Sequence, residues 1–297
     1  MVSDPCPHSA DRRARWLVFW ALSVAVSVGC SKPSFSRLPD ARATVEQLRA
    51  LFTKASDASN RAVMADTDAQ SQAYADEAVA AVREVDRTVA ALRPNLAGYT
   101  TELGHLDELV AALARYRALD KEILALAVEN TNLKAQRLSF GPVREAADAM
   151  VDALGHAAQS IPSAQSARFA AGAAAAAIAV RQIQVLEAPH IAEPGEDAMA
   201  ALEAQMGSNE RAARAAIASL SSPNPTTATA AALDHASQAL DRLLAQNAEV
   251  VRLSRKNTNV RSLALVLGPK PALVAACEGA LERMAAALAT RTTGASR

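Results

Sequence analysis

Apolar residues along most of the chain recur at the three- and four-residue spacing of an amphipathic helix. One clear seam consists of Ala78, Val82, Val85, Val89 and Leu92. After residue 39, no stretch alternates apolar and polar residues over the length of a strand. Alanine, the strongest helix former, is abundant, and aromatic residues make up only 3% of the chain. The pattern therefore predicts an all-α fold.

Proline and glycine mark where the predicted helices end. Pro94 stops the first helix, and the pairs Gly141-Pro142 and Gly268-Pro269 stop two helices of about forty residues, each on the order of 60 Å long. The expected helices cover about 40–93, 100–140, 142–160, 164–187, 196–220, 227–267 and 271–289.

The chain contains an internal repeat. A shift of 127 residues lays 106–142 over 233–269 without a gap, and fourteen of the thirty-seven aligned positions are identical. The identities include two Asn-Thr-Asn triplets, at 130–132 and 257–259, each followed at the same distance by a Gly-Pro pair. Alanine-rich helices match one another by chance, but a shared alanine content does not explain a repeated Asn-Thr-Asn triplet. The repeat therefore predicts two related units.

The predicted architecture is an elongated antiparallel helical bundle, of the coiled-coil type, built from two tandem copies of a unit of about 127 residues. Unit 1 is expected to cover 40–162 and unit 2 to cover 163–290, with a flexible C-terminal tail at 291–297. The many small side chains allow the helices to approach closely.

The N-terminal segment has the composition of a secretory signal peptide. Three arginines precede an uncharged run over 16–29, which is too short to span a bilayer comfortably. The run ends in Ser27-Val28-Gly29-Cys30, which resembles the lipobox of bacterial lipoproteins. That resemblance implies a signal peptide over 1–29, lipid on Cys30 and a tether over 30–39. Ordinary cleavage nearby and retention as a short anchor stay open, since leucine is usual where Ser27 stands.

The residue after Cys30 is Ser31 rather than aspartate, which by the rule known for enteric bacteria favours the outer membrane over the inner one. We therefore expect a chain in the cell envelope that faces the periplasm and contacts the membrane through its N-terminal lipid. Cys277 is then left without a cysteine partner, and we interpret it as a small buried apolar residue rather than a reactive thiol.

Charge and motifs exclude several function classes. The 31 basic and 31 acidic residues balance, so the chain has no electrostatic reason to bind nucleic acid. No zinc-protease, phosphate-loop or serine-hydrolase motif is present. The histidines at 105, 156, 190 and 235 lack paired ligand spacing and are interpreted as surface residues. We therefore predict no catalytic activity, no metal site and no cofactor.

The Asn-Thr-Asn triplets are the polar features that both units share in the middle of a long predicted helix. Asn130 and Asn257 continue apolar seams and would point into the bundle. A buried asparagine on a seam can fix helix register and the choice of partner. Alternatively, the two amides line a polar cavity and hold the carboxylate or hydroxyl of a small ligand.

A second polar feature is a basic stretch without acidic residues. It consists of Arg252, Arg255, Lys256, Arg261 and Lys270. Positive charge near a helix C-terminus complements the helix dipole. The stretch is interpreted as a solvated face rather than as an anion or lipid-headgroup site.

The run from Asp120 to Asn130, followed by Ala135, resembles the second half of the four-helix-bundle sensor domains of bacterial chemoreceptors. The six-helix form of that family stacks two bundles in about the length available here. The resemblance implies a periplasmic domain that binds small molecules, such as organic acids, between its helices. The chain departs from that family because it has no cytoplasmic signalling region, so a bound ligand would have to be reported through a partner protein.

Two functions are therefore expected from the sequence. The first is a lipid-anchored helical module that binds, spaces or scaffolds, with a protein partner or self-association through its helical faces. The second is a sensor-like bundle for a small organic ligand. A polar cavity at Asn130 and Asn257 would favour the second function, and a fully packed core the first.

Overall fold

The computed structural model describes residues 37–221 and 225–294, and it confirms the all-α prediction, since no strand occurs in these ranges. The predicted signal peptide at 1–29, Cys30 and most of the tether at 30–39 lie outside the described residues. The helices are α1 Arg37–Val63, α2 Asp68–Asn95, α3 Thr100–Glu129, α4 Thr131–Leu138, α5 Arg144–Gln159, α6 Ser163–Ala192, α7 Glu196–Ser219, α8 Thr227–Lys256, α9 Thr258–Leu267 and α10 Lys270–Gly294.

Some helices end where the apolar spacing gave no sign of a break. The predicted helix over 40–93 is wrong, because α1 ends at Val63 and α2 begins after Thr67, whose hydroxyl caps the backbone N–H of Gln70 at 3.1 Å. Conversely, Pro189 lies inside α6 and does not end it. At the C-terminus, α10 continues to Gly294, beyond the end expected near residue 290.

The two forty-residue helices predicted from the sequence are also interrupted. A single left-handed residue separates α3 from α4 at Asn130, and another separates α8 from α9 at Asn257. The Gly-Pro pair at 141–142 does not end the helical segment. It lies in a π-helical turn, Ser139–Val143, that leads directly into α5.

The buried side chains form cores that combine helices from both halves of the sequence. One core is built from α4, α5, α6, α7 and α8. A second joins α1, α2 and α3 to α10, and a third joins the ends of the same three helices to residues of α9. Hence α4 and α5 pack on the helices that follow residue 162, while α9 and α10 pack on those that precede it. The predicted boundary between 162 and 163 does not separate these cores.

Two stretches, Ser163–Ala192 and Thr227–Arg291, are long and apolar enough to cross a membrane by length and composition alone. The first is α6, which carries buried ionisable side chains and packs on α5, α7 and α8. The second contains the left-handed residue at Asn257 as well as Gly268-Pro269. Within the described residues, 28% of the apolar window of the first stretch and 17% of that of the second is buried.

Candidate functional site

Both Asn-Thr-Asn triplets begin at a residue with a left-handed backbone. Asn130 has φ 54° and ψ 42°, and Asn257 has φ 55° and ψ 36°. Asparagine enters this region more readily than other non-glycine residues because its short polar side chain can form local hydrogen bonds. Each asparagine therefore ends one helix and starts the next.

The two helix starts that follow, in α4 and α9, cap each other. The backbone N–H of Thr131 donates to Thr258 Oγ1 at 3.0 Å, and that of Thr258 donates to Thr131 Oγ1 at 3.2 Å. The N–H groups of Asn132 and Asn259 donate to each other's Oδ1 atoms, both at 3.1 Å. The first N–H groups of a helix have no partner within it, so each helix supplies the caps of the other. We call this arrangement the paired-triplet junction.

Asn130 is 1% exposed, and both the oxygen and the nitrogen of its side-chain amide form hydrogen bonds. Its Oδ1 accepts from Asn259 Nδ2 at 2.5 Å, and its Nδ2 donates to Asp68 Oδ1 at 2.8 Å. Asp68 also accepts from Arg137 at 2.9 Å. Partial burial alone would raise the pKa of Asp68, but the hydrogen bonds from Asn130 and Arg137 lower it overall. The asparagine thus links the junction to the start of α2.

The side chain of Asn257 is engaged in the same way. Its Oδ1 accepts from Asn132 Nδ2 at 2.8 Å, and its Nδ2 donates to the carbonyl of Glu193 at 2.8 Å. Asn132 Nδ2 donates its other hydrogen to the carbonyl of Ile191 at 2.6 Å. In each of the two candidate asparagines, the amide oxygen and the amide nitrogen therefore both form hydrogen bonds within the protein.

Residues 127 positions apart also meet at the edge of the junction. Lys256 Nζ donates to Glu129 Oε1 at 2.6 Å, and these two residues directly precede the two triplets. Both side chains are about half exposed, so this ion pair adds little stability. It shows that corresponding positions of the aligned segments lie face to face.

Because the backbone is left-handed at Asn257, we expect the alanine and glycine variants at this position to differ in stability. We expect Asn257→Ala to lower the free energy of unfolding by about 2–3 kcal/mol, because buried partners lose hydrogen bonds and alanine lacks the polar side chain that lets asparagine adopt this φ. Asn257→Gly loses the same hydrogen bonds but accepts the backbone, so it should retain about 1–2 kcal/mol more than the alanine variant. Urea unfolding measures both.

Equal losses for the alanine and glycine variants would show that the backbone conformation contributes nothing. The same argument applies to Asn130→Leu. A plain seam position would gain stability from leucine, whereas a left-handed one should lose it.

A cleft of about 340 Å³ opens beside the paired-triplet junction. It lies between the turn after α1, α4 with its π-helical turn, the end of α6 and the start of α9. Its apolar wall includes Leu133, Phe140, Ile191 and Val260. Its polar lining includes Asp66, Asn132, Gln136, Ser139 and Asn259. The volume falls at the low end of the range of small-molecule sites.

Glu187 of α6 lies directly behind this lining and is 0% exposed. Ser139 Oγ donates to Glu187 Oε2 at 2.5 Å, while Oε1 has no hydrogen-bond partner within the described chain. Burial raises the pKa of Glu187 from its ordinary 4.5 to about 7, although the bond from Ser139 opposes the shift.

A second buried polar cluster surrounds a lysine. Lys270, at the start of α10, is 2% exposed. Its Nζ donates to Ser59 Oγ at 2.6 Å and Asn60 Oδ1 at 2.9 Å, and it lies 3.3 Å from Asp120 Oδ1. Ser59 also donates to Asp120 at 2.5 Å. The interpretation of Lys270 as part of a solvated basic face is therefore wrong; burial lowers its pKa, against the pull of Asp120.

The interpretation of His190 as a surface residue is also wrong, since its side chain is 0% exposed. Its Nδ1 lies 2.7 Å from Ser254 Oγ, and its Nε2 lies 2.8 Å from Glu203 Oε1. Glu203 is held in turn by Arg255. Ser254 is itself 0% exposed and donates to the carbonyl of Val250, so its hydroxyl is enclosed and faces no open cleft, whereas Glu203 is partly exposed.

Sequence reasoning placed the right residue types at the junction but missed the groups around it. Asn130 and Asn257 meet there through their partners, whereas Cys30 lies outside the described residues. Cys277 is buried, and burial raises the pKa of its thiol to about 11. Glu187 and Lys270 give no sequence signal of burial beyond their place near apolar seams. The usable signal was the preference of asparagine for left-handed positions.

Comparisons with protein-family models, with curated proteins and with solved structures find no match to this chain.

Proposed function

We propose that the protein is a lipid-anchored helical spacer or scaffold of the bacterial cell envelope, without catalytic activity. Its mature part would hold a fixed distance or present helical faces to a protein partner or to a second copy. Cys30 would carry the lipid and tie the chain to a membrane, and the helical body would face the periplasm. The outer membrane is favoured over the inner one by Ser31.

The observation that carries this proposal is the hydrogen bonding of the paired-triplet junction. The amide oxygen and nitrogen of Asn130 and of Asn257 each form a hydrogen bond, with Asn259, Asp68, Asn132 and the carbonyl of Glu193 as partners. Groups consumed in this way fix the relation between helices and are not offered to a ligand. The most conspicuous polar feature shared by the two aligned segments therefore supports a mechanical role.

We further propose that the chain consists of two tandem copies of one unit that have exchanged their C-terminal helices. Helices α4 and α5 pack with α6 to α8, and α9 and α10 pack with α1 to α3. The hydrogen bonds between Thr131 and Thr258, 127 residues apart, support a two-fold relation between the copies. Such an exchange would join two antiparallel bundles end to end into one stiff, elongated body.

The anchor is tested by Cys30→Ser in cells fed an alkyne-tagged fatty acid. We expect labelling to disappear and the protein to leave the membrane fraction, because the thioether to lipid needs the Cys30 thiol. The matched control is Cys277→Ser, whose buried thiol should leave labelling and fractionation unchanged. Persistent labelling of Cys30→Ser would exclude Cys30 as the lipidated residue.

A second candidate function is the binding of a small molecule, as the resemblance to chemoreceptor sensor domains implies. The observation in its favour is the cleft beside the junction, which has apolar walls and converging polar groups. A ligand there would be reported through a partner protein. Thermal-shift screening separates the two functions, because a spacer should show no ligand-dependent change in Tm.

A further inference from the structure

The charged side chain that lines the cleft beside the paired-triplet junction is a carboxylate, Asp66, and a second carboxyl group, Glu187, lies behind Ser139. Ser139 has one hydroxyl hydrogen, and it points inward to Glu187 Oε2. Only the lone pairs of Ser139 Oγ therefore remain for a molecule in the cleft. The rim adds the carboxylate of Asp66.

The two best-placed donors near the cleft, Asn132 and Arg137, are already engaged, and the amides of Gln136 and Asn259 in its lining are uncharged. Both amide hydrogens of Asn132 go to Ile191 and Asn257. The nearby guanidinium of Arg137 binds Asp68 and the carbonyl of Asp66. A carboxylate or phosphate in the cleft would thus meet acceptors and a buried acid, while a cationic donor would meet complementary groups.

Behind the cleft, Glu187 has a buried carboxyl oxygen without a hydrogen-bond partner among the described residues. Its side chain is 0% exposed, and its Oε1 is unpartnered within the described residues. A buried carboxylate oxygen without a partner is costly, and a nearby positive charge would offset that cost. The aligned position 127 residues earlier is Asn60, which binds the buried ammonium of Lys270 at 2.9 Å. The position aligned with Lys270 is Val143, so this position does not supply an ammonium group to Glu187.

We propose that this cleft binds a small primary amine, whose ammonium group donates to Ser139 Oγ in front of the Glu187 carboxylate and whose alkyl part contacts the apolar wall. Phe140, which is 62% exposed, would cover that alkyl part and add a cation–π contact. This site rests on the small-molecule alternative, and amine binding there would count against the spacer proposal.

The test is calorimetric titration of the full chain with n-butylammonium at about pH 8, above the raised pKa of Glu187, with butyrate and 1-butanol as probes of equal length. We expect butylammonium to bind and the other two to bind at least about tenfold more weakly, the factor that corresponds to one partly buried charge interaction. Glu187→Gln keeps the acceptor for Ser139 but removes the charge, so it should weaken butylammonium by about tenfold.

The matched control is Glu282→Gln, the same change at an exposed residue of α10, which should leave binding unchanged. Tighter binding of butyrate or butanol would overturn the amine assignment while supporting a small-molecule function. Binding of butylammonium that is unchanged in Glu187→Gln would overturn the site. No binding of any probe would overturn the amine proposal, and only the wider thermal-shift screen then decides the small-molecule alternative.

Discussion

Lys270→Val is expected to lower the free energy of unfolding by about 3–5 kcal/mol, the usual loss when one partner of a buried ion pair is removed. The variant leaves Asp120, which is 3% exposed, without the ammonium that lies 3.3 Å from its Oδ1. Ser59 and Asn60 also lose their bonds to Nζ. Chemical unfolding followed by circular dichroism measures the loss.

The chain itself suggests the compensating change. At the positions aligned by the 127-residue shift, Lys270 corresponds to Val143 and Asp120 to Asn247. The double variant Asp120→Asn, Lys270→Val copies that neutral pair and removes the uncompensated carboxylate. We expect it to recover most of the loss, to within about 1–2 kcal/mol of wild type. A double variant as unstable as Lys270→Val would show that packing of the lysine chain, and not charge, explains the effect.

The second large effect is a fall in stability as pH rises, caused by Glu187. The pKa of its carboxyl is raised from 4.5 to about 7 by burial. Below pH 4.5 the group is protonated in both states, so its contribution is then complete. Between the two values the unfolded chain ionises while the folded chain stays neutral, and the contribution is lost by the time the pH passes 7. The expected loss is about 3 kcal/mol, from about 1.4 kcal/mol for each pH unit.

Glu187→Gln should flatten this dependence, since glutamine does not titrate and can accept the same bond from Ser139. The variant should be more stable than wild type at pH 8 and close to it at pH 4.5. Glu282→Gln, at an exposed position, should leave the pH profile of unfolding unchanged. A wild-type profile that is as flat as that of Glu187→Gln would mean that Glu187 is solvated or paired in the folded protein.

The helical class followed from local properties of the chain. Alanine content and the spacing of residues such as Val82, Val85 and Val89 predict helix without reference to any partner. The same spacing failed at Asn130 and Asn257, because a left-handed residue costs only about 1–2 kcal/mol and tertiary hydrogen bonds offset it. The spacing of apolar residues continues across such a break, so the spacing does not reveal where one helix ends and the next begins.

The candidate site was predicted in its residue types but not in its arrangement. Asn130 and Asn257 were identified by their repetition, which is a property of the sequence alone. Their partners were not, because Asp68 and Glu193 lie far from them along the chain and reach them only after the helices have packed. Lys270 was predicted to be solvated for the same reason. A lysine at a helix start is usually exposed, and its burial depends on Asp120 of another helix, which is distant in sequence.

The sequence by itself therefore determined the secondary structure class, the 127-residue spacing of the triplets and the near-neutral charge, since each depends on residue type and order. Tertiary structure alone decided which helices share a core, that the two triplets cap each other, and that Glu187 and Lys270 are buried. The physical reason is that these features depend on which surfaces meet. Helices with similar apolar seams can pack in several combinations, and hydrogen bonds between distant residues select one of them.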